Sequence, residues 1–236
     1  MAYKQFELDG VGNVTIYKRR GARSVRLTVG HDGKVKVSMP TWLPYKSGLS
    51  YAESKRAWLQ DQLSRRTATT ILDGQIVGKQ HRLRFEADSA DKLRTRILKS
   101  GDILVYLPAG LDSSHADAQL AATKASIRAL RAEAEELLPA RLRRLADQHG
   151  LPYRSFGVKQ LKGRWGSCDQ AKHITINLYA MQLPWELIDY ILLHELAHTK
   201  YLNHSADFWA LLTELDPDAH GHRKLLRTMR PVISGA

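Results

Sequence analysis

Three histidines and one glutamate fall within eleven positions, in "HELAHTKYLNH" (194–204). His194 and His198 are four apart, so on a helix they stand one above the other on the same face. Two imidazoles so placed reach one tetrahedral zinc at about 2.0–2.1 Å. Glu195 follows the first ligand and projects beside the metal, where it can take a proton from water. This H-E-x-x-H spacing is the zinc-hydrolase signature. Catalytic zinc needs a third protein ligand and keeps one position open, and His204 is the candidate. A straight helix would carry position 204 about 9 Å along its axis from 198, too far to share a metal. The helix is therefore expected to end near Tyr201 or Leu202, with Asn203 turning the chain in the left-handed conformation and Ser205 capping the next helix. The outer histidines match the metzincin spacing, but Tyr201 stands where that pattern has glycine, which argues against the metzincin turn.

The expected cofactor is one Zn2+ per chain, held by His194, His198 and His204, with Glu195 as general base. An oxyanion stabiliser is required and not identified. Arg164, Tyr201, His220 and His222 are candidates, each with a plainer reading as a loop or surface residue. In "RWGSC" (164–168), Gly166 and Ser167 would let a substrate backbone approach an exposed edge and add as a strand; the plainer reading is a tight turn anchored by Trp165. Cys168 is either a small buried residue or an inhibitory ligand. Phe208, Trp209, Leu211 and Leu212 read as the packing that fixes the third ligand, with Ile188, Tyr190, Leu192 and Leu196 opposite them.

Elements must bring these residues together. "SVRLTV" (24–29) and "KVKVSM" (34–39) alternate as strands around a turn at "GHDG" (30–33), with "VTIYKR" (14–19) alongside. A helix is expected over 50–66, and strands over 81–87, 92–98 and 102–108. The Ala/Leu-rich stretch 110–150 reads as helix, capped at Ser113 or Ser114, stopped by Gly150, and kinked or broken at Pro139. "YRSFGVKQL" (153–161) and "HITINLYA" (173–180) read as strands around a loop. Pro184 opens the metal helix, and helices follow over 205–215 and 218–230. The pattern is α+β: a β-rich basic region (1–110), then a helical connector and catalytic domain (111–236).

Residues 1–110 carry 20 Lys+Arg against 10 Asp+Glu, whereas 111–236 carry 16 against 14. The basic half is either a solvated strand face or a surface for nucleic acid or a nucleotide. One cysteine among 236 residues excludes an internal disulfide. The N-terminal segment lacks a signal peptide's apolar core, and no apolar run approaches a membrane span, so a cytoplasmic location without membrane attachment is expected.

"RWGSC", "ITINLYAMQLP" (174–184), "LIDYILLHELAHTKYLNHSADFW" (187–209) and "LDPD" (215–218) resemble the YgjP-like family of zincin metallopeptidases, which is related to the SprT and WLM groups. The segment "RRGARSVRLTVGHDGKVKVSMPTWL" resembles that family's opening hairpin. The resemblance implies a zincin-like fold, zinc on the three histidines, Glu195 as base, a strand beside the active-site helix, and a peptide or protein substrate. Two alternatives share the same chemistry. One is a zinc-dependent nucleoside triphosphate pyrophosphatase with phosphates on the basic half; the other is a DNA-dependent protease of the SprT kind.

Overall fold

The structure, a computed structural model, describes residues 3–29, 34–64 and 70–233. The chain divides into two compact units at Thr70/Ile71. The compositional division at residue 110 falls inside the second unit.

In the first unit, β1 (Tyr3–Leu8), β2 (Gly12–Arg19), β3 (Arg26–Val29) and β4 (Val35–Pro40) form one sheet in the order β1-β2-β4-β3. β2 runs parallel to β4, while β1–β2 and β3–β4 are antiparallel. The turn expected at 30–33 lies outside the described residues. Alternation decides which face is buried: Val14, Ile16, Val35, Val37 and Met39 point inward with Ala52 and Leu59 against them, and Lys36 and Arg26 point to solvent. The helix expected over 50–66 is two helices, α1 (Tyr45–Ser54), opened by Pro44, and α2 (Arg56–Ser64), with the break at Lys55.

The second unit is built around one helix. α3 (Ala116–His149) runs for 34 residues and its apolar face holds Ala122, Ala129, Leu130, Leu138, Leu142 and Leu145, all buried. Pro139 neither breaks nor ends it. Buried leucines on both sides of the proline hold the two halves to the same core, and that outweighs one lost hydrogen bond. The cap is His115, whose Nδ1 accepts the Asp117 amide at 3.2 Å, one residue beyond the serines expected to do so. Gly150 at φ 61° closes the C-terminus.

Packed on α3 is a four-stranded sheet of β5 (Ile76–Val77), β6 (His81–Ala87), β7 (Arg94–Ile97) and β8 (Asp102–Leu107), in the order β5-β6-β8-β7. A buried carboxylate pins it. Glu133 of α3 is fully buried and accepts the amides of Lys79 (2.7 Å) and Gln80 (2.8 Å) and faces His81 Nδ1 at 2.6 Å. Gly78, at φ 65°, lies so close beneath Glu133 that no side chain fits between them.

A second, smaller sheet has β9 (Ser155–Lys159), β10 (Gly166–Cys168) and β11 (His173–Asn177) in the order β10-β11-β9. β10 is an edge strand that the sequence pattern leaves as loop. A 3-10 turn over Leu178–Gln182 leads to α4 (Trp185–Ala197), followed by α5 (Ala206–Leu215) and α6 (Ala219–Thr228). The start of α4 is tied to α3 by a two-point Arg141–Asp189 ion pair, with the Trp185 ring under the guanidinium at 4.4 Å. The result is an α+β, zincin-like arrangement: a short sheet whose edge strand lies beside the helix that carries H-E-x-x-H. Among the described residues no helix is long and apolar enough to cross a membrane.

Candidate metal centre

α4 is apolar almost all round, so its buried faces fix the position of His194 and Glu195 at its C-terminal end. The helix stops at Ala197, with His198 as C-cap in helical conformation. Thr199, Lys200 and Tyr201 then form a tight turn whose amides return to Leu196 and Ala197 carbonyls. The end comes earlier than Tyr201, and Asn203 is not left-handed: Lys172 is the only non-glycine with positive φ among the described residues. Asn203 shapes the turn through its side chain instead, its Oδ1 accepting the Ser205 amide at 3.3 Å. Ser205 then caps α5, accepting the Phe208 amide at 3.4 Å.

This turn brings the three histidines together. Their ligand atoms all lie within 4.8 Å of one another, the one such group of His, Cys, Asp or Glu among the described residues. His194 Nε2 and His204 Nε2 face each other at 3.1 Å. His198 Nδ1 lies 2.8 Å from the Tyr201 carbonyl, which fixes the tautomer that leaves Nε2 with its lone pair free. Phe208, fully buried, touches all three rings at centroid distances of 5.0, 4.6 and 4.8 Å. Burial, with the neighbouring imidazoles adding to it, holds His194 down to about 3, so the ring is neutral at physiological pH. The same causes lower His204. Three converging imidazoles are the donor set that a tetrahedral divalent cation takes, so the residues fit a metal.

Glu195 is 5 % exposed, and its Oε2 has no hydrogen-bond partner among the described residues. Burial pushes the carboxyl up to about 8, with the Arg164 guanidinium pulling the other way. A buried carboxyl group short of partners and with a raised pKa, beside a cluster of histidines, marks a candidate functional site. Gly166 of β10 makes room for it: a Cβ there would sit 2.5 Å from Glu195 Oε1.

A cleft of about 360 Å³ opens at this point, lined by Gly163, Arg164, Trp165, Gly166, Tyr190, Ile191, His194, Glu195, Arg223, Leu226, Arg227 and Arg230. Of the residues expected to contact substrate, Arg164 and Gly166 line it and Ser167 and Tyr201 do not. His222 Nδ1 lies 2.6 Å from Asp216 Oδ2, and the His220 ring stacks on Trp209 at 5.4 Å. Cys168 lies outside the histidine cluster; burial, then the charge of Glu195, raises its thiol to about 11. A larger hollow of about 540 Å³ at the C-terminal end of α3, lined by Arg143, Asp147 and Tyr153 among others, has no such cluster.

Two groups escaped the sequence reading. Asn177, 4 % exposed, holds the loop before β10: its Nδ2 donates to the Leu161 and Arg164 carbonyls (3.0 and 2.8 Å), and its own amide donates to Trp165 (2.8 Å). That loop aims Arg164 and Gly166. Nothing in the local sequence marks an asparagine at a strand end as such a hub. Arg223, Arg227 and Arg230 are spaced four and three apart, a helix-face spacing, but nothing in the sequence marks them as facing the site.

A metal-ligand cluster and a lone carboxylate, set on a helix flanked by an edge strand, define a zincin-type metallohydrolase. The family described as "YgjP-like, metallopeptidase domain" matches residues 23–229, and the chain belongs to it. It is therefore a metal-dependent peptidase by family. No curated protein matches the chain. The solved metallopeptidase zymogen of Pyrococcus abyssi abylysin is similar to part of it, with 26% identity over 39% of this chain and 93% of that one, at a TM-score of 0.36.

Proposed function

We propose that the protein is a zinc-dependent peptidase in which His194, His198 and His204 hold the ion and Glu195 is the general base. The observation that carries this reading is the convergence of three imidazoles beside a buried carboxylate without a partner. Bound there, zinc supplies Lewis acidity at the reacting carbonyl and lowers the pKa of water toward ~7. Glu195 accepts the proton of the attacking water and returns it to the departing amine nitrogen. Gly166 leaves the space in which that carboxylate works, and Phe208 keeps the three rings in register. Among the described residues β10 has one strand neighbour, β11, and an extended peptide would add at its other edge.

The test compares wild type with Glu195→Gln for metal content and for turnover of unfolded protein, with and without DNA, and of nucleoside triphosphates. Both proteins are expected to hold one zinc, with peptide cleavage lost by about 10²–10⁴-fold in the variant. DNA is expected to change nothing, and triphosphates to survive. Failure of both proteins to bind metal, or equal activity of the two, refutes the reading. Release of phosphate or pyrophosphate in place of peptide cleavage reassigns the site to phosphoryl chemistry.

A further inference from the structure

Four arginines are among the residues lining the cleft beside Glu195: Arg164, Arg223, Arg227 and Arg230. They come from two directions, Arg164 from the loop before β10 and the others from α6 and the residues just after it. Glu195 is the only carboxylate in the lining, and it is buried. Elsewhere in the same unit Arg84, Arg94, Arg131 and Arg141 each face a carboxylate (Asp102, Asp88, Glu135 and Asp189), while other arginines, such as Arg128, do not. The cleft arginines have no such pair within 4.0 Å among the described residues. What sets the cleft apart is the convergence of four arginines on one hollow whose lining offers a single, buried carboxylate. Two of the four are also held in place. The Arg223 guanidinium lies 4.5 Å over the Trp209 ring, which itself stacks on His204 at 6.1 Å. Arg230 Nη1 donates to the Arg227 and Met229 carbonyls at 3.0 and 2.7 Å.

We propose that this cleft selects peptides carrying a carboxylate next to the scissile bond, supplied by an Asp or Glu side chain or by a free C-terminus. The proposal takes its ligand class from the peptidase reading above. Planar guanidiniums match a carboxylate in two-point geometry, and a positive cleft concentrates anionic ligands from solution. The unpaired arginines are then the subsite that the substrate completes.

The experiment uses one metal-loaded protein preparation and a matched set of octapeptides: Asp/Glu-bearing, Asn/Gln isosteres, Lys-bearing, and each with a free or amidated C-terminus. Binding is read by fluorescence anisotropy on Glu195→Gln, which needs no turnover, and cleavage by kcat/KM on wild type. Acidic peptides are expected to bind and to be cut about tenfold better than their isosteres, a preference that shrinks with salt. Arg227→Glu is expected to shift the preference toward the Lys-bearing peptide, and Arg223→Gln to weaken the acidic one alone. A preference for the free over the amidated C-terminus assigns the carboxylate to the chain end, and a preference for Asp/Glu over the isosteres that survives amidation assigns it to a side chain. Equal binding of acidic and isosteric peptides together with equal binding of free and amidated C-termini overturns the inference, as does an equal loss on all peptides in both arginine variants. A nucleoside triphosphate that displaces every peptide at equal concentration overturns it in favour of a phosphate site. Cleavage without preference leaves the peptidase reading intact and sinks this one; preference in binding with no cleavage of any peptide does the reverse.

Discussion

Gly166→Ala adds one methyl group at the point where β10 meets the carboxylate of Glu195, the proposed base. The new Cβ would lie 2.5 Å from Glu195 Oε1, 2.8 Å from its Cγ and 2.9 Å from its Cδ, where ordinary contact begins at 3.4 Å. Something has to give by about 1 Å, and a misplacement of that size at a reacting group costs on the order of 10²-fold in rate. Glu195 is the part that moves, since β10 is held by its ladder to β11, Gly166 opposite Ile176. Overpacking costs about 1–3 kcal/mol, and the stiffer unfolded chain returns about 0.4–1 kcal/mol of it. A net loss of about 1–2 kcal/mol leaves the protein folded. The histidines are untouched by the methyl, so metal content is expected to stay at one per chain while kcat/KM on a peptide substrate falls about 100-fold. Metal analysis, a urea melt and peptide kinetics on the same preparation separate the three quantities. Activity within threefold of wild type, with the fold intact, would refute the argument that the glycine exists to seat the carboxylate.

Two more predictions rest on other parts of the second unit. Glu133→Gln turns one carboxylate oxygen into an N–H₂ that faces backbone amides or the His81 ring, so at least one buried donor loses its acceptor. The expected cost is about 2–4 kcal/mol, read as a drop in urea midpoint at unchanged metal content; a loss below about 1 kcal/mol would show that the pin is dispensable. Cys168, the chain's one cysteine, has its thiol raised from 9.0 to about 11. Raising the pKa keeps the unreactive protonated form to higher pH, so alkylation at pH 8 is expected about 100-fold slower than in the urea-unfolded chain. The rate should climb about tenfold per pH unit until near 11, and a plateau by pH 9 would contradict the burial argument.

The histidine cluster was legible because it is local: eleven consecutive residues carry the spacing, the helix end and the next cap. Even there the mechanism of the turn differed, with Asn203 acting through its side chain and not its backbone. The α+β pattern and most strand positions followed from period-two alternation. What sequence could not give was set by distant partners. β10 is three residues long, "GSC", and is a strand only because β11 lies beside it. Pro139 reads as a break until the leucines on either side of it find one continuous core. The arginines of α6 acquire meaning from helix packing against α4, and Glu133 is one more acid in a charged helix until the 78–81 turn closes over it.

His194 and His204 lie at the two ends of an eleven-residue segment, and Phe208, four residues further on, packs against both rings. An ion shared by these imidazoles closes that segment into a ring, as a reversible cross-link does. Its free-energy contribution grows with the logarithm of free metal concentration, and it falls first on α5, which the third ligand leads into. Docking of α5 and loading of the site are then one equilibrium seen from two sides: whatever loosens Phe208 raises the dissociation constant for metal, and whatever removes metal shortens the lifetime of the docked helix.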